Sequence, residues 1–294
     1  VSEKDWLTTA FEQNRGHLRA VAYRMLGSLS EADDAVQEAW LRLNRTDTSG
    51  VHNLGGWLTT VVAHLCLDML RSRTSRREEP LETHVPDPLI SREDETDPEH
   101  ETLLADSVGL AMLMVLETLP PAERLAFVLH DMFGVPFDEI ASIVERSPSA
   151  TRQLASRARR RVRDAEPLPD ADVARQREIV DAFFAAARDG DFDALLALLD
   201  PDVVVHADFG PKPAGASRTV RGPRAVAEGA HSFSRFAPFV RPALVNGAAG
   251  AVVVPPGRPF AIMGFTIRSG RIVEIDILGD PDRLRRLDLT NLGS

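Results

Sequence analysis

Residues 78–106 hold eleven acidic side chains and the prolines Pro80, Pro86, Pro88 and Pro98 against one basic residue, Arg92. Such a stretch buries too little apolar surface to offset the entropy of ordering it, so it is expected to be a flexible acidic linker. The chain must then fold as separate bodies on either side. The formal charge of −10 over 294 residues resides entirely in this stretch, and the remainder is neutral. Within that remainder, residues 146–163 carry seven arginines and no acid, and residues 71–77 carry four arginines and no acid. Basic patches on a neutral body suit a nucleic-acid partner despite the acidic total.

Before the linker, Phe11, Leu18, Val21, Ala22, Met25 and Leu26 recur at helical intervals, as do Ala35, Val36, Ala39, Trp40 and Leu43. Ser30 ahead of Asp33 and Asp34 is expected to cap the second helix. A third helix starts near Gly56-Trp57, with Leu58, Val61, Val62, Leu65 and Met69 on one face and Trp57 as a core anchor rather than a base-stacking platform, the less common use of an aromatic at the start of an apolar stripe. After the linker, helical periodicity runs from Val108 to Leu119 and from Glu123 to Met132, then in two short helices, about 137–145 and 149–163. Beyond Pro167-Leu168-Pro169, helices near 179–187 and 192–199 give way to strands at 203–208, 248–254, 259–268 and 271–278. The expected domains are thus residues 1–77, a linker at 78–106, 107–165, a short linker at 166–174, and an α+β domain at 175–294. No apolar run approaches the ~20 residues of a membrane span, and Val1 to Asp5 carry no leader, so a cytoplasmic protein with no membrane partner is expected. Cys66, the sole cysteine, reads as a buried inert thiol rather than part of a metal site.

The helix pair at 137–163 has the length and turn of a helix-turn-helix. In that motif early side chains of the second helix reach base edges and later cations hold phosphates. Thr151, Arg152, Ser156 and Arg157 are the candidates for the groove, and Arg159, Arg160, Arg161 and Arg163 for the backbone. The stretch from Leu119-Pro120-Pro121 through Asp138-Glu139-Ile140-Ala141 to Arg157-Ala158-Arg159-Arg160-Arg161 resembles region four of extracytoplasmic-function sigma factors. Upstream, Ala32 to Trp40 is similar to the polymerase-binding helix of region two, and Gly56 to Arg71 to its promoter-melting helix.

The resemblance implies two all-α sigma domains, a region-two helical bundle and a region-four helix-turn-helix. It implies core RNA polymerase and promoter DNA as partners, no cofactor and no catalysis. Asp33, Asp34, Gln37 and Glu38 are expected to meet polymerase. Thr60, His64, Arg71 and Arg73 are expected at the melted downstream element, although the family usually has a basic residue and an asparagine where Thr60 and His64 stand. Promoter elements roughly 17 base pairs apart are separated by ~60 Å, and 29 extended residues reach at most ~100 Å.

The C-terminal part resembles SnoaL-like domains, which lay helices on a curved mixed sheet around a cone-shaped pocket. His206, Asp208, His231 and Asp276 are candidate pocket residues, though core-edge polar groups are the plainer explanation for them. In sigma factors with such an extension it regulates the sigma domains. Asp208 to Lys212 and the stretch holding Asp280 and Asp282 resemble its regulatory motifs, with Phe209 and Pro211 replacing expected glycines. The alternative is a ligand-binding or enzymatic module with an unidentified small molecule in its pocket.

Overall fold

The computed structural model describes residues 3–47, 50–75, 84–91, 109–165, 170, 172–210, 217–256 and 258–287. Contacts divide the chain into two compact units, one drawn from 1–78, 98–106 and 112–166, the other from 79–97, 107–111 and 167–294.

The first unit begins with helices α1 (Glu3–Leu26), α2 (Leu29–Leu43) and α3 (Leu54–Ser75), packed through fully buried Leu18, Met25, Leu43, Leu58 and Leu67. Gly27 takes a left-handed φ of +69° and ends α1, so the chain is already extended at Ser28. Ser28, not Ser30, therefore caps α2, accepting from the Glu31 amide. Helices α4 (Leu110–Glu117) and α5 (Pro121–Phe127) follow, and α5 runs on through one wider turn at Val128–Met132. The helix-turn-helix is α6 (Phe137–Val144) and α7 (Pro148–Ala165). Its turn passes through Glu145 at φ +54° and is closed by the Arg146 amide donating to Ala141 O. Leu125 and Leu129 pack with Ile140 and Ile143 beneath it. Arg124 is buried in the same unit and donates to Met25 O at 2.8 Å; burial lowers its pKa to about 10. Cys66 is fully buried, which pushes its thiol well above the ordinary range.

The second unit contains helices α8 (Val173–Asp189), α9 (Phe192–Leu198), α10 (Pro223–Ser232) and α11 (Pro281–Leu284). They accompany strands β1 (Ile90–Ser91), β2 (Leu199–Asp208), β3 (Arg218–Arg221), β4 (Val240–Val245), β5 (Ala248–Val253), β6 (Ala261–Arg268) and β7 (Arg271–Leu278). The sheet order is β1-β4-β5-β6-β7-β2-β3, with β2 and β7 parallel and the other pairs antiparallel. Two hairpins turn on two residues of positive φ, Asn246-Gly247 and Ser269-Gly270, which match the twist of the strands they join. The core joins Val180, Phe183 and Leu195 of the helices to Phe265, Ile267 and Ile275 of the sheet.

Part of the expected linker belongs to this unit. Ile90 and Ser91 pair with Val245 and Leu244, and Leu89 exchanges hydrogen bonds with Asn246, donating to Oδ1 at 3.1 Å and accepting from the amide at 2.8 Å. Val85 and Leu89 are buried. The flexible reading is therefore corrected for residues 84–91: a short apolar series among the prolines is enough to add an edge strand, where a missing N–H costs little. The other residues of 78–106 lie outside the described ones.

Gln176 ties α8 to the sheet: its Oε1 accepts from the Ala249 amide at 2.9 Å, and its Nε2 donates to Asp170 O. Gln176→Leu strands that buried amide and is expected to destabilise the second unit by ~1–3 kcal/mol, read as a lower midpoint in denaturant with an unchanged slope.

Candidate nucleic-acid interface and the C-terminal contact

Helix α7 buries Thr151, Ala155, Ala158 and Val162 at three- and four-residue spacing and turns Arg152, Gln153, Ser156, Arg157, Arg160, Arg161 and Arg163 outward. Thr151 is 0% exposed, and its hydroxyl donates to Ser147 O at 3.0 Å. The expectation that it reaches a base edge is corrected, because position 151 starts the apolar stripe. Gln153, which sequence reasoning missed, lies on the exposed face beside Arg152. The Arg152 guanidinium sits 5.6 Å from the Phe137 ring centre, which fixes its direction across the turn. Among the later cations, Arg161 lies 3.1 Å and Arg157 3.9 Å from the buried Glu123 carboxylate, and Arg159 donates to Asp131 at 2.6 Å. Arg160 makes no ion pair among the described residues.

On α2, Asp33, Asp34 and Gln37 are exposed and Glu38 is half-buried. Arg19 grips Asp33 through two bonds of 2.6 and 3.1 Å, and Arg42 pairs with Glu38 at 3.3 Å. Leu41, 40% exposed, stands one turn beyond Gln37 and Glu38 and two beyond Asp34. It supplies the apolar part of that face, and its side chain departs from the buried stripe Ala32, Ala35, Val36, Ala39 and Leu43, a signal the sequence already carried.

On α3, Thr60 and His64 are half-buried on one face, Thr60 donating to Gly56 O and His64 Nδ1 lying 2.9 Å from Thr60 O. Trp57 is half-buried. Arg71 is exposed, with Asp68 at 3.9 Å. Arg73 differs: it donates to Leu26 O at 3.2 Å and pairs with Glu31, tying the end of α3 to the α1–α2 turn. These contacts give Arg73 a structural role at the end of α3.

In the second unit the candidate pocket residues separate. A cavity of about 130 Å³ is lined by Phe184, Val205, Val226, Phe236, Met263 and Ile277 among others, nearly all apolar. None of His206, Asp208, His231 and Asp276 lines it. Side chains alternate along a strand, so with Val205, Ala207, Ile275 and Ile277 facing the cavity, His206 and Asp276 point to the other face. His231 is exposed on α10.

Asp208 and the terminal motif do come together. The Gly279 amide donates to Asp208 O at 2.7 Å, and a side chain at Gly210 would lie 2.6 Å from Asp280 Oδ2. Asp280 caps α11 through the amides of Asp282 and Arg283, and Asp282 pairs with Arg285. Lys212 lies outside the described residues. Arg283 then donates to Asp208 Oδ2 and to Asp87 Oδ1, each at 2.8 Å, and to Val85 O at 2.5 Å. The Val85 amide returns a bond to Asp208 at 3.2 Å, with His84 Nδ1 3.4 Å from the same carboxylate. Burial alone would push the Asp208 carboxyl up. The bonds from His84 and from the Gly210 and Val85 amides, with the charge of Arg283, bring it below the ordinary range.

A helical trio followed by a helix-turn-helix with an outward arginine face defines a sigma-70-type factor, and the comparisons agree. The Sigma-70 region 2 model matches residues 10–76, and the Sigma-70 region 4 model matches residues 109–162. The chain is 41% identical to the ECF RNA polymerase sigma factor SigJ of Mycobacterium tuberculosis, over 93% of this chain and 91% of that protein. It is 35% identical to the probable ECF RNA polymerase sigma factor SigI of the same species, over 97% of each. The crystal structure of M. tuberculosis SigJ superposes with a TM-score of 0.77 at 37% identity, covering 96% of this chain and 99% of that one. The chain belongs to the extracytoplasmic-function RNA polymerase sigma factors. It is a transcription initiation factor, not an enzyme, and its second unit has the SnoaL-like α+β fold. No helix among the described residues is long and apolar enough to cross a membrane.

Thr151→Val removes a buried hydroxyl but leaves the Thr151 amide bond to Ser147 O in place. It should lower stability by ~1 kcal/mol while promoter preference, measured by competition binding, stays that of the parent.

Proposed function

We propose that the chain brings core RNA polymerase to its promoters through three surfaces, and that the C-terminal domain controls this by gripping the segment that joins the two sigma regions. The polymerase contact is the α2 face of Asp34, Gln37, Glu38 and Leu41, acidic with an apolar residue at its C-terminal end. Arg152, Ser156 and Arg157 read the upstream element, with Arg160 and Arg161 on phosphates. Thr60, His64 and Arg71 meet the unpaired downstream strand, where half-buried polar groups and an outer cation suit bases and backbone.

The observation that carries the regulatory part is Arg283, which holds Asp208, Asp87 and the Val85 carbonyl at once. Region two ends near residue 76 and region four begins near 109. With 84–91 held on the sheet, seven residues (77–83) separate it from region two and seventeen (92–108) from region four, which reach at most ~30 and ~60 Å at full extension. Release restores the full reach, so the grip sets which separations the two regions can adopt. The cavity favours a second reading, in which the domain also takes a largely apolar ligand. Its volume of about 130 Å³ approaches the ~150 Å³ of an apolar cavity that holds benzene. Arg218 and Ser234 are its polar lining, and with no carboxyl or imidazole there to act as a general acid or base it supports binding and not catalysis.

Asp34→Lys with Glu38→Lys should abolish capture of core polymerase in a pull-down while the circular dichroism melt stays that of the parent, since exposed helix charges add little stability. Retained capture would move the polymerase contact elsewhere.

Arg283→Ala leaves Asp208 and Asp87 buried without their cation, and loss of one partner from such a pair costs ~3–5 kcal/mol. Hydrogen exchange at Val85 and Leu89 should rise, and run-off transcription with core polymerase should change from the full-length level. Faster exchange with unchanged transcription would retire the regulatory part of the proposal.

A further inference from the structure

On the sheet face away from the apolar cavity, His206 of β2 and Asp276 of β7 are register partners, and Glu274 stands two residues earlier on β7. One ligand atom from each lies within 4.8 Å of the other two. His206 Nε2 is 3.3 Å from Glu274 Oε1. We propose that these three side chains bind a divalent cation of the zinc type, with His206 Nε2 and one oxygen from each carboxylate as ligands and a fourth position open to water.

The spacing fits. Ligands ~2.1 Å from a tetrahedral centre lie ~3.4 Å apart, close to the histidine–glutamate separation. The histidine is also suitably oriented. Its Nδ1 is 3.4 Å from Thr219 Oγ1 on β3, a polar partner of the kind that fixes a ligating imidazole and leaves Nε2 free to coordinate. The electrostatics call for a cation. Asp276 is 1% exposed, and its Oδ1 has no hydrogen-bond partner, an orphaned buried acceptor beside a second carboxylate. The register partners on β6 are Gly264 opposite Asp276 and Thr266 opposite Glu274, and neither brings positive charge. Arg221 shares this face at the β3 end but is exposed and makes no ion pair among the described residues. Burial, and then the Glu274 charge, push the Asp276 carboxyl well above the usual range. A dication would cancel both carboxylate charges and satisfy the orphaned oxygen. One imidazole with two carboxylates favours zinc and its transition-metal neighbours over magnesium or calcium, which take all-oxygen sets.

The test uses the full chain without an affinity tag, stripped with EDTA and dialysed. Titration with Zn²⁺ followed by calorimetry should give one site per chain. Co²⁺ should produce the visible absorption of a four- or five-coordinate ion, displaced by Zn²⁺ and not by excess Mg²⁺. Asp276→Asn, which keeps the shape of the buried side chain, should melt like the parent and bind Zn²⁺ at least 10-fold more weakly. His206→Gln should do the same, and exposed His231→Ala should bind as the parent does. Absence of both the Zn²⁺ heat and the Co²⁺ absorption would overturn the proposal. So would binding retained by folded Asp276→Asn and His206→Gln, which would put the ion elsewhere, or Mg²⁺ competing on equal terms.

Discussion

The second unit depends on one guanidinium. Arg283 is planar and carries five donors in a fixed fork, so it can satisfy the Asp208 carboxylate, the Asp87 carboxylate and the Val85 carbonyl from one position. Two buried carboxylates near each other would otherwise repel and shed water without return. With Arg283 between them they become the reason residues 84–87 stay on the sheet. Several small features follow from its placement. Asp280 caps the four-residue helix that carries Arg283, Gly210 has no side chain where Asp280 approaches, and Gly279 is bare where the Phe209 ring fills the place a side chain would take. The glycines and acids of the two motifs are thus one structure, built to aim an arginine at the incoming segment.

The arginines of α7 obey a similar economy of charge. Six in eighteen residues would repel one another strongly on an isolated helix. Glu123 and Asp131, at the start of α5 and in the wide turn that follows it, take up Arg157, Arg161 and Arg159 and hold the recognition helix against its support. Both acids are much less exposed than the arginines they face, so the anionic end of each pair is fixed and the cationic end projects. A phosphate can approach the outer side of these guanidinium groups without the helix losing its internal partner. The α5–α7 packing and the basic surface are therefore products of the same ion pairs.

Helix positions and the order of the sigma regions were legible because apolar periodicity is local, and Leu18, Met25, Ile140 and Val162 announce their faces within one turn. The caps and the strands at 218–221 and 240–245 were less so. Ser28 wins over Ser30 only because Gly27 turns the chain first, and β4 carries Arg241 and Pro242, which dilute an alternating pattern. The linker misled most. Its composition forbids a core of its own, yet Val85, Leu89 and Ile90 need none, because the sheet edge at β4 supplies it. Arg73 looked like part of a basic run, and only the fold reveals Glu31 and Leu26 O beside it. Thr151, by contrast, could have been excluded, since its spacing to Ala155, Ala158 and Val162 marks the buried stripe.

The strands β2 and β7 show why residue type alone did not sort the C-terminal candidates. From Val204 to Asp208 and from Glu274 to Leu278 the parallel register is unbroken, and it sends Val205, Ala207, Ile275 and Ile277 to the cavity and His206, Glu274 and Asp276 to the reverse. Seventy residues separate His206 from Asp276 in the chain, and a shift of one position in their pairing would exchange the two faces. The polar group expected inside the cone would then be there, and the cavity would have its acid and base. The register is held by the apolar side, where Val205 and Ile275 pack on Phe183, Leu195 and Phe265 of the core. Burial of that face decides that the cavity is oily, and by the same step it gathers the histidine and two carboxylates behind it. The domain thereby separates an apolar cavity from a charged cluster across the thickness of one sheet. Asp208, two residues past His206 on the same strand face, carries the cluster's side of the sheet directly into the grip on residues 84–87.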